Sequence, residues 1–208
     1  MSDCFTGHIL AQRRIRRRAD RRFSYCAFFY KQEEIMEAIV YVSNTGNTQR
    51  YARLLADQIN LPVYSLEESK RNLKKGTEII YLGWIMANGI KGYKDANEYF
   101  SIGIVCAVEM SENGSHLEEI RKANFIPESI PLFTLQGGLY LEKLKGANKM
   151  ILKMVLKKVK KELLEKSNRT DQENNMLDLM IHGGSRVCVE NLYEVLSCYK
   201  ENFIQKKG

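Results

Sequence analysis

The stretch AIVYVSNTGNT, residues 38–48, decides the fold, because it joins a buried strand to a loop suited to a helix start. Its first five residues are apolar and mostly β-branched, as expected for a parallel strand covered on both faces. The next six are small and polar, and apolar side chains then recur at helical spacing at Tyr51, Leu54, Leu55 and Ile59. The stretch therefore predicts a strand over 38–42 and a helix over roughly 47–59.

The alternation of strand and helix continues to residue 135. Short apolar runs predict four more strands, at 61–64, 78–83, 102–108 and 130–135. Segments of mixed polarity between them predict helices at 67–73, 93–100 and 115–123, and Ser115 with Glu118 has the spacing of a capping box. Five strands that alternate with helices indicate an α/β fold with a parallel sheet and right-handed crossovers.

Beyond residue 142 the sequence predicts helices only. One helix has an apolar stripe formed by Met150, Ile151, Met154, Val155, Val159 and Leu163, with lysines on its other positions. The stripe could pack on the domain with its lysines in water, or it could meet a membrane surface or an acidic partner. Two further helices are predicted at 173–181 and 190–203, separated by His182-Gly183-Gly184-Ser185.

The charge of the chain is unevenly distributed. The 208 residues carry a formal net charge of +7, and residues 1–35 hold eight Lys and Arg against four acids. We interpret residues 1–35 as a basic leader that is either disordered or mis-annotated, with Met36 as the alternative start. Because the remaining residues are close to neutral, the charge predicts no specific nucleic-acid partner.

Composition sets the class of protein. No apolar run reaches the ~18 residues that a membrane-spanning helix needs. The five cysteines form no CxxC pair, which predicts neither a disulfide framework nor a zinc site and favours the reducing cytoplasm. We therefore predict a cytoplasmic domain over 36–208, with its core at 37–165 and a helical C-terminal extension at 166–208.

The loop SNTGNT has the chemistry of a phosphate site. Ser43, Thr45 and Thr48 offer hydroxyl donors, with Asn44 and Asn47 between them, and Gly46 allows close backbone approach. The first N–H groups of the following helix point to the same place and favour an anion. The loop lacks the lysine of a nucleoside-triphosphate P-loop and the pattern GxGxxG of dinucleotide sites. An ordinary helix-capping turn is the alternative interpretation.

A strand, this loop and a helix at the start of a five-stranded α/β domain resemble the flavodoxins. Their T/S-x-T-G-x-T loop is matched at Ser43, Thr45, Gly46 and Thr48. The resemblance covers about residues 37–165. It implies a three-layer, doubly wound sheet in the order 2-1-3-4-5 and an FMN cofactor whose phosphate is held by residues 43–48.

The resemblance also implies two loops that contact the flavin ring. The first follows the third strand, where Trp84, Met86 and Ala87 would cover the ring. The peptide between Asn88 and Gly89 could turn its carbonyl toward the ring. The second loop follows the fourth strand and carries Met110 and Ser111. The catalytic residues stay unknown, and no metal ligands are predicted.

Residues 131–158, PLFTLQGGLYLEKLKGANKMILKMVLKK, are also similar to the menaquinone-dependent protoporphyrinogen dehydrogenases, flavodoxin-fold enzymes of the membrane surface. That resemblance implies that Tyr140 and the Lys-rich helix 149–166 face a membrane. Three functions stay open: FMN-dependent electron transfer to a redox partner protein, a dehydrogenase acting on a quinone or porphyrinogen at the membrane surface, and a noncatalytic binding module.

Overall fold

A computed structural model describes residues 36–204, except residues 112, 113, 115, 141, 144 and 145; at 146–148 and 204 it describes the backbone alone. The predictions made for the basic leader, residues 1–35, lie outside the described residues.

Five parallel strands form the main sheet. Along the chain they are β1 (Ala38–Val42), β2 (Val63–Ser65), β3 (Glu78–Met86), β5 (Ser101–Glu109) and β6 (Leu132–Gln136), and β4 (Gly89–Ile90) pairs antiparallel to the end of β3. The order across the sheet is β2-β1-β3-β5-β6. When the five parallel strands are counted alone, this is the predicted order 2-1-3-4-5, which is confirmed.

Helices cover both faces of this sheet. Between the strands lie α1 (Asn47–Ile59), α2 (Leu66–Asn72), α3 (Tyr93–Tyr99) and α4 (Leu117–Asn124). After β6 come β7 (Gly138–Leu139), α5 (Gly146–Glu165), α6 (Asp171–His182), β8 (Gly184–Ser185), a short 3-10 turn (Glu190–Leu192), α7 (Tyr193–Tyr199) and a π-helical turn (Lys200–Ile204). The architecture is compatible with a flavodoxin-like three-layer fold.

Alternate residues of each strand enter opposite cores, because side chains of a strand point to opposite faces of the sheet. On one face, Ile39, Ile80 and Ile104 pack with α1 and α7. On the other face, the neighbouring strand residues pack with α3 and α4, and they include Val40, Ile79 and Val105. Both faces of the sheet are therefore buried, which accounts for the nearly continuous apolar strands.

The third strand is longer than predicted. It continues through Trp84 to Met86 and turns back at once into β4, with Met86 paired to Gly89. Ala87 (φ 50°) and Asn88 (φ 62°) both have the left-handed conformation that a two-residue type I′ hairpin requires. The expected ring loop is therefore a strand end and a tight hairpin, in which Asn is favourable and Ala is strained.

The predicted capping box at Ser115 and Glu118 is wrong. Helix α4 begins at Leu117, and its N-cap is His116, which has a φ of 57° and makes no side-chain cap. Two capping boxes lie elsewhere, at Ser65 with Glu68 and at Thr170 with Glu173. At all three positions Ser or Thr stands three residues before Glu, so this spacing alone did not identify the caps.

The packing after residue 136 differs from the expected division at residue 165. Leu192, Val195 and Leu196 lie in the sheet core beside α1, so the end of the described chain belongs to the sandwich. The helices α5 and α6 instead form an insertion with a small core of their own around Leu156 and Leu179. The prediction of helices only is also wrong, because β8 pairs antiparallel with β7.

Helix α5 buries the predicted stripe only at its end, at Leu163, and before that turns a different face inward. Leu156 is buried in the small core, and Leu152 packs against that core. Met150 and Met154 are about three-quarters exposed, and Ile151 and Val155 are about half exposed. Among the described helices, none is long and apolar enough to cross a membrane.

Candidate functional site

The loop between β1 and α1 is open where a ligand would approach. Gly46 has a φ of 96°, and no heavy atom lies within 4 Å of the position that a β-carbon would take. The Gly46 N–H donates to Ser43 Oγ at 3.1 Å, which folds the loop back on itself. A residue with a β-carbon would be strained at this φ and would occupy the open space.

Two groups of unsatisfied donors meet at this loop. The first N–H groups of a helix have no intrahelical acceptor, and no described side chain caps those of α1. The Nδ2 atom of Asn44 is buried and has no hydrogen-bond partner among the described residues. An anionic oxygen would satisfy both, and the helix dipole favours negative charge at this end. The donor set therefore fits a phosphate group.

Residues from the far end of the chain hold the start of α1 in place. Asn47 and Thr48 are buried, and Asn47 Oδ1 accepts a hydrogen bond from Ser185 Oγ at 3.1 Å. Ser185 Oγ in turn accepts from the Arg50 guanidinium at 3.1 Å. Strand β8 thus connects the loop at residues 43–48 to the helical insertion.

A cavity of about 330 Å³ lies beside this loop, at the carboxyl ends of the central strands. This volume is at the lower end of the ~300–1,000 Å³ typical of small-molecule sites. In a doubly wound sheet, ligands bind at this edge, where the strand order reverses. Its wall combines the polar loop with four other, mostly apolar segments, namely Trp84 to Ala87, Val108 to Met110, Gly137 to Tyr140, and Ile151, Leu152 and Val155 of α5.

The structure brings most of the predicted site residues to this cavity. Those that line it are Asn44, Thr45, Asn47, Thr48, Trp84, Met86, Ala87 and Met110. Ser43 and Gly46, together with Asn44, line an open groove of about 650 Å³ on the other side of the loop. Ser111 lines an adjoining pocket of about 230 Å³. Asn88 and Gly89 are not among the residues that line these three.

The hairpin carbonyl of Asn88 is held away from the cavity. It accepts a hydrogen bond from Asn124 Nδ2 at 2.8 Å, and Asn124 Oδ1 accepts from the Ile90 N–H at 2.8 Å. One side chain of α4 therefore hydrogen-bonds the carbonyl of the Asn88-Gly89 peptide and the N–H of the next peptide, Gly89-Ile90. Rotating this peptide toward the cavity would break the first of these hydrogen bonds.

Glu109, the last residue of β5, is a site residue that sequence reasoning missed. Its side chain is only 8 % exposed, and it lies in the cavity wall. Burial raises the pKa of this carboxyl, although His116 favours the charged form from 3.6 Å. Its Oε1 atom has no hydrogen-bond partner among the described residues. A signal existed, since an acid directly after a buried apolar strand falls at the ligand-binding edge.

The apolar roof of the cavity was also missed. Leu152 of α5 contacts the insertion core, while Ile151 and Val155 line the cavity with one part and meet solvent with another. Tyr140 closes one side, with the Lys143 ammonium 4.1 Å from its ring centroid. No local pattern signals this contact, because the roof follows from how the insertion folds back over the sheet edge.

Within the described part of the chain, no three His, Cys, Asp or Glu side chains come together in a way that could hold a metal ion. Comparison of the sequence with models of protein families and with curated proteins found no match. The function must therefore be argued from the cavity itself.

Proposed function

We propose that the protein binds FMN noncovalently in the 330 Å³ cavity and serves flavin-dependent electron transfer. The observation that carries this proposal is that two different kinds of wall line the same cavity. One wall is a loop of unsatisfied donors with a buried, unpartnered Asn44 amide, and the other is apolar and aromatic. A molecule with an anionic end and a flat apolar ring matches both.

The phosphate end of FMN would lie at residues 43–48. The uncapped N–H groups of α1 and the Asn44 amide would donate to its oxygens, with Gly46 leaving room for the close approach. The Arg50 guanidinium, one turn into the helix, adds a positive charge near Ser185.

The ring would lie between Trp84 and Met86 on one side and the α5 residues Ile151 and Val155 on the other. A low-polarity environment of this kind favours the uncharged states of a flavin ring through dispersion and desolvation. Bound FMN would supply one-electron and two-electron redox chemistry, while the protein supplies binding and orientation. The roof limits direct access to the ring, so electrons would pass at the exposed edge of the cavity.

The direct test is an absorbance titration of the full-length protein with FMN, followed by addition of dithionite. Saturable shifts of the flavin bands, which then bleach on reduction, are expected. Absence of saturable binding would contradict the proposal and favour a noncatalytic module with this fold.

Variants of the loop locate the site. Thr45→Ala and Gly46→Val should weaken FMN binding, the first through lost hydrogen bonding and the second through blocked approach. Asn44→Ala should reduce the affinity about tenfold, since hydrogen bonds to charged groups contribute roughly 1.5–3 kcal/mol. It should leave the ligand-free protein at least as stable, because it removes an unpaired buried donor. Asn97→Ala, on an exposed position of α3, is the matched control.

A second candidate, a dehydrogenase acting on a quinone or porphyrinogen at a membrane surface, is favoured by the outer face of α5. Met150, Ile151, Met154 and Val155 form an exposed apolar ridge on a helix rich in lysine. Such a helix can lie in the interface of an anionic membrane, with its apolar ridge among the lipids and its lysines at the headgroups. A lipid-soluble electron acceptor would then be close to the cavity roof.

Vesicle sedimentation tests this candidate. The full-length protein should bind vesicles with anionic headgroups and bind neutral vesicles weakly. Replacing Met150 and Met154 together by Ser should abolish the binding. Tyr193→Ser, a similar change at an exposed position of α7, should not. Equal binding by both variants would contradict a role for the α5 ridge.

A further inference from the structure

We propose that Glu109 couples ligand binding to proton uptake: the carboxyl is neutral when the cavity is filled, and its ionised form opposes binding. The proposal rests on the proposed function, because FMN is the ligand used to test it. It assigns to the cavity a pH-sensing residue, positioned in the wall beside Met110.

The geometry around Glu109 gives the first reason. The side chain is almost fully buried at the end of β5, and one of its two oxygens has no hydrogen-bond partner among the described residues. A carboxylate needs several donors to be stable in such a place, whereas a neutral carboxyl needs fewer. A ligand that fills the cavity would remove the remaining water and penalise the charged form further.

Charge gives the second reason. Around Glu109 the described titratable groups are His116, which precedes α4, Tyr140, which follows β7, and Glu173 of α6, which lines the adjoining pocket with His116. Of these, the His116 ring faces the carboxyl at 3.6 Å, is half exposed to water, and is a cation only when protonated. Glu173 is paired with Lys166 at 2.6 Å. The half-exposed imidazole and the hydroxyl groups of Ser111 and Thr134, which hydrogen-bond the carboxyl, compensate its burial only partly.

The direction of the coupling follows from these facts. The pKa of Glu109 is raised in the free protein by burial, and a bound anionic ligand would raise it again. Between these two values, binding takes up a proton from solution, and affinity falls as the pH rises. Half-exposed His116 lies between the carboxyl and water, so it modulates the pH at which this happens.

The experiment is isothermal titration calorimetry of FMN into the full-length protein, from pH 5 to 9, in pairs of buffers with different ionisation enthalpies. The dependence of the measured heat on the buffer gives the number of protons taken up. Since the FMN phosphate also titrates near pH ~6, each value is read against Glu109→Gln, and riboflavin, which has no phosphate, is titrated in parallel.

On binding FMN, the wild-type protein should take up as much as one proton more than the Glu109→Gln variant. Its affinity should fall about tenfold relative to that variant as the pH rises. Glu98→Gln, an exposed control, should match wild type. His116→Asn should move the window of uptake to higher pH; Asn is chosen because it tolerates the φ of 57°.

The outcomes separate the two proposals. If wild type binds no FMN, the proposed function fails and this inference fails with it. If wild type binds FMN but proton uptake is the same in Glu109→Gln, only the inference is overturned. If Glu109→Gln does not fold, the His116→Asn variant is the test. The proposed coupling would be overturned if the pH range of proton uptake were the same in that variant as in wild type.

Discussion

The two walls of the cavity are held in place by different means. The loop at residues 43–48 lies between β1 and α1, two elements of the sandwich core. Two hydrogen bonds fix it, one from the Gly46 N–H to Ser43 and one from Ser185 to Asn47. The roof belongs to α5, whose buried Leu156 packs in a small core shared with α6. The polar wall is therefore part of the cooperative fold of the sandwich. The apolar roof depends on a few buried side chains shared with α6 and on the β7–β8 pair.

The largest effect is expected from a variant that separates the insertion from the loop by disrupting the β7–β8 pair. In Gly138→Val, the new β-carbon would lie 2.2 Å from the Gly184 carbonyl oxygen and 2.8 Å from Ser185 Cα. The β7–β8 pair cannot accommodate it, because both contacts are with backbone atoms. We expect FMN binding to be lost and unfolding to become easier by more than about 2 kcal/mol. Urea denaturation and the FMN titration measure the two effects, and unchanged binding would show that the roof is dispensable.

Truncation of one leucine in each core comes next. Leu82→Ala, in the sheet core, should lower the free energy of unfolding by about 2–5 kcal/mol. Leu156→Ala, in the insertion core, should lower global stability less and should increase local opening of α5 and α6. Hydrogen exchange resolved by segment distinguishes the two. Equal loss of protection throughout the chain in both variants would mean that the insertion and the sandwich unfold together.

Tyr51 of α1 is hydrogen-bonded to the two chain segments that flank the insertion, and its hydroxyl responds to pH. Its hydroxyl donates to the Gln136 carbonyl and accepts from Asn191 Nδ2 at 2.6 Å. Burial raises its pKa to about 12, from an ordinary value near 10. Because the unfolded chain releases this proton first, stability is complete below pH ~10 and is lost as the pH rises toward about 12.

Tyr51→Phe should cost about 1 kcal/mol at neutral pH, through the lost hydrogen bonds. It should also make stability fall less steeply between about pH 10 and 12, as measured by urea denaturation at each pH. Some slope should remain, because burial also raises the pKa values of Tyr81 and Tyr93. A slope identical to that of wild type would exclude Tyr51 as its source.

The smallest expected effect compares the two sides of one helix. Met154 is 73 % exposed, so Met154→Ala should change the free energy of unfolding by less than about 0.5 kcal/mol. Leu156→Ala, two residues away, is the buried reference. Thermal denaturation of both variants checks this, and a large effect at Met154 would mean that the ridge is covered in solution by a second copy of the chain.

Local patterns were reliable wherever the determining contacts are close in sequence. Helix α1 spans the predicted residues 47–59, and the five parallel strands lie within a few residues of their predicted positions. The exceptions have physical reasons. Trp84 to Met86 continue β3 because β4 pairs back on them, and the cap of α4 is His116 although Ser115 has the better side chain.

The same holds for the candidate site. Ser43 to Thr48 were predicted because a strand, a small polar loop and a helix have the chemistry of an anion site in consecutive residues. Glu109 was missed because its importance comes from burial and from the distance to His116. The partner of β7 was missed because Gly184-Ser185 is only two residues long and lies more than 40 residues away.

By itself, the sequence determined the layer architecture and the residues of the polar loop, because periodicity and loop chemistry act over a few neighbours. The strand order came from the resemblance to the flavodoxins, since right-handed crossovers alone allow more than one order. Only the tertiary structure decided that α5 and α6 cover the sheet edge, that α7 completes the sandwich, and that Glu109 lies buried in the cavity wall. Those features depend on which apolar faces meet after collapse. Several faces of similar hydrophobicity compete for that contact, such as the buried face of α5 around Leu156 and its exposed ridge around Met154.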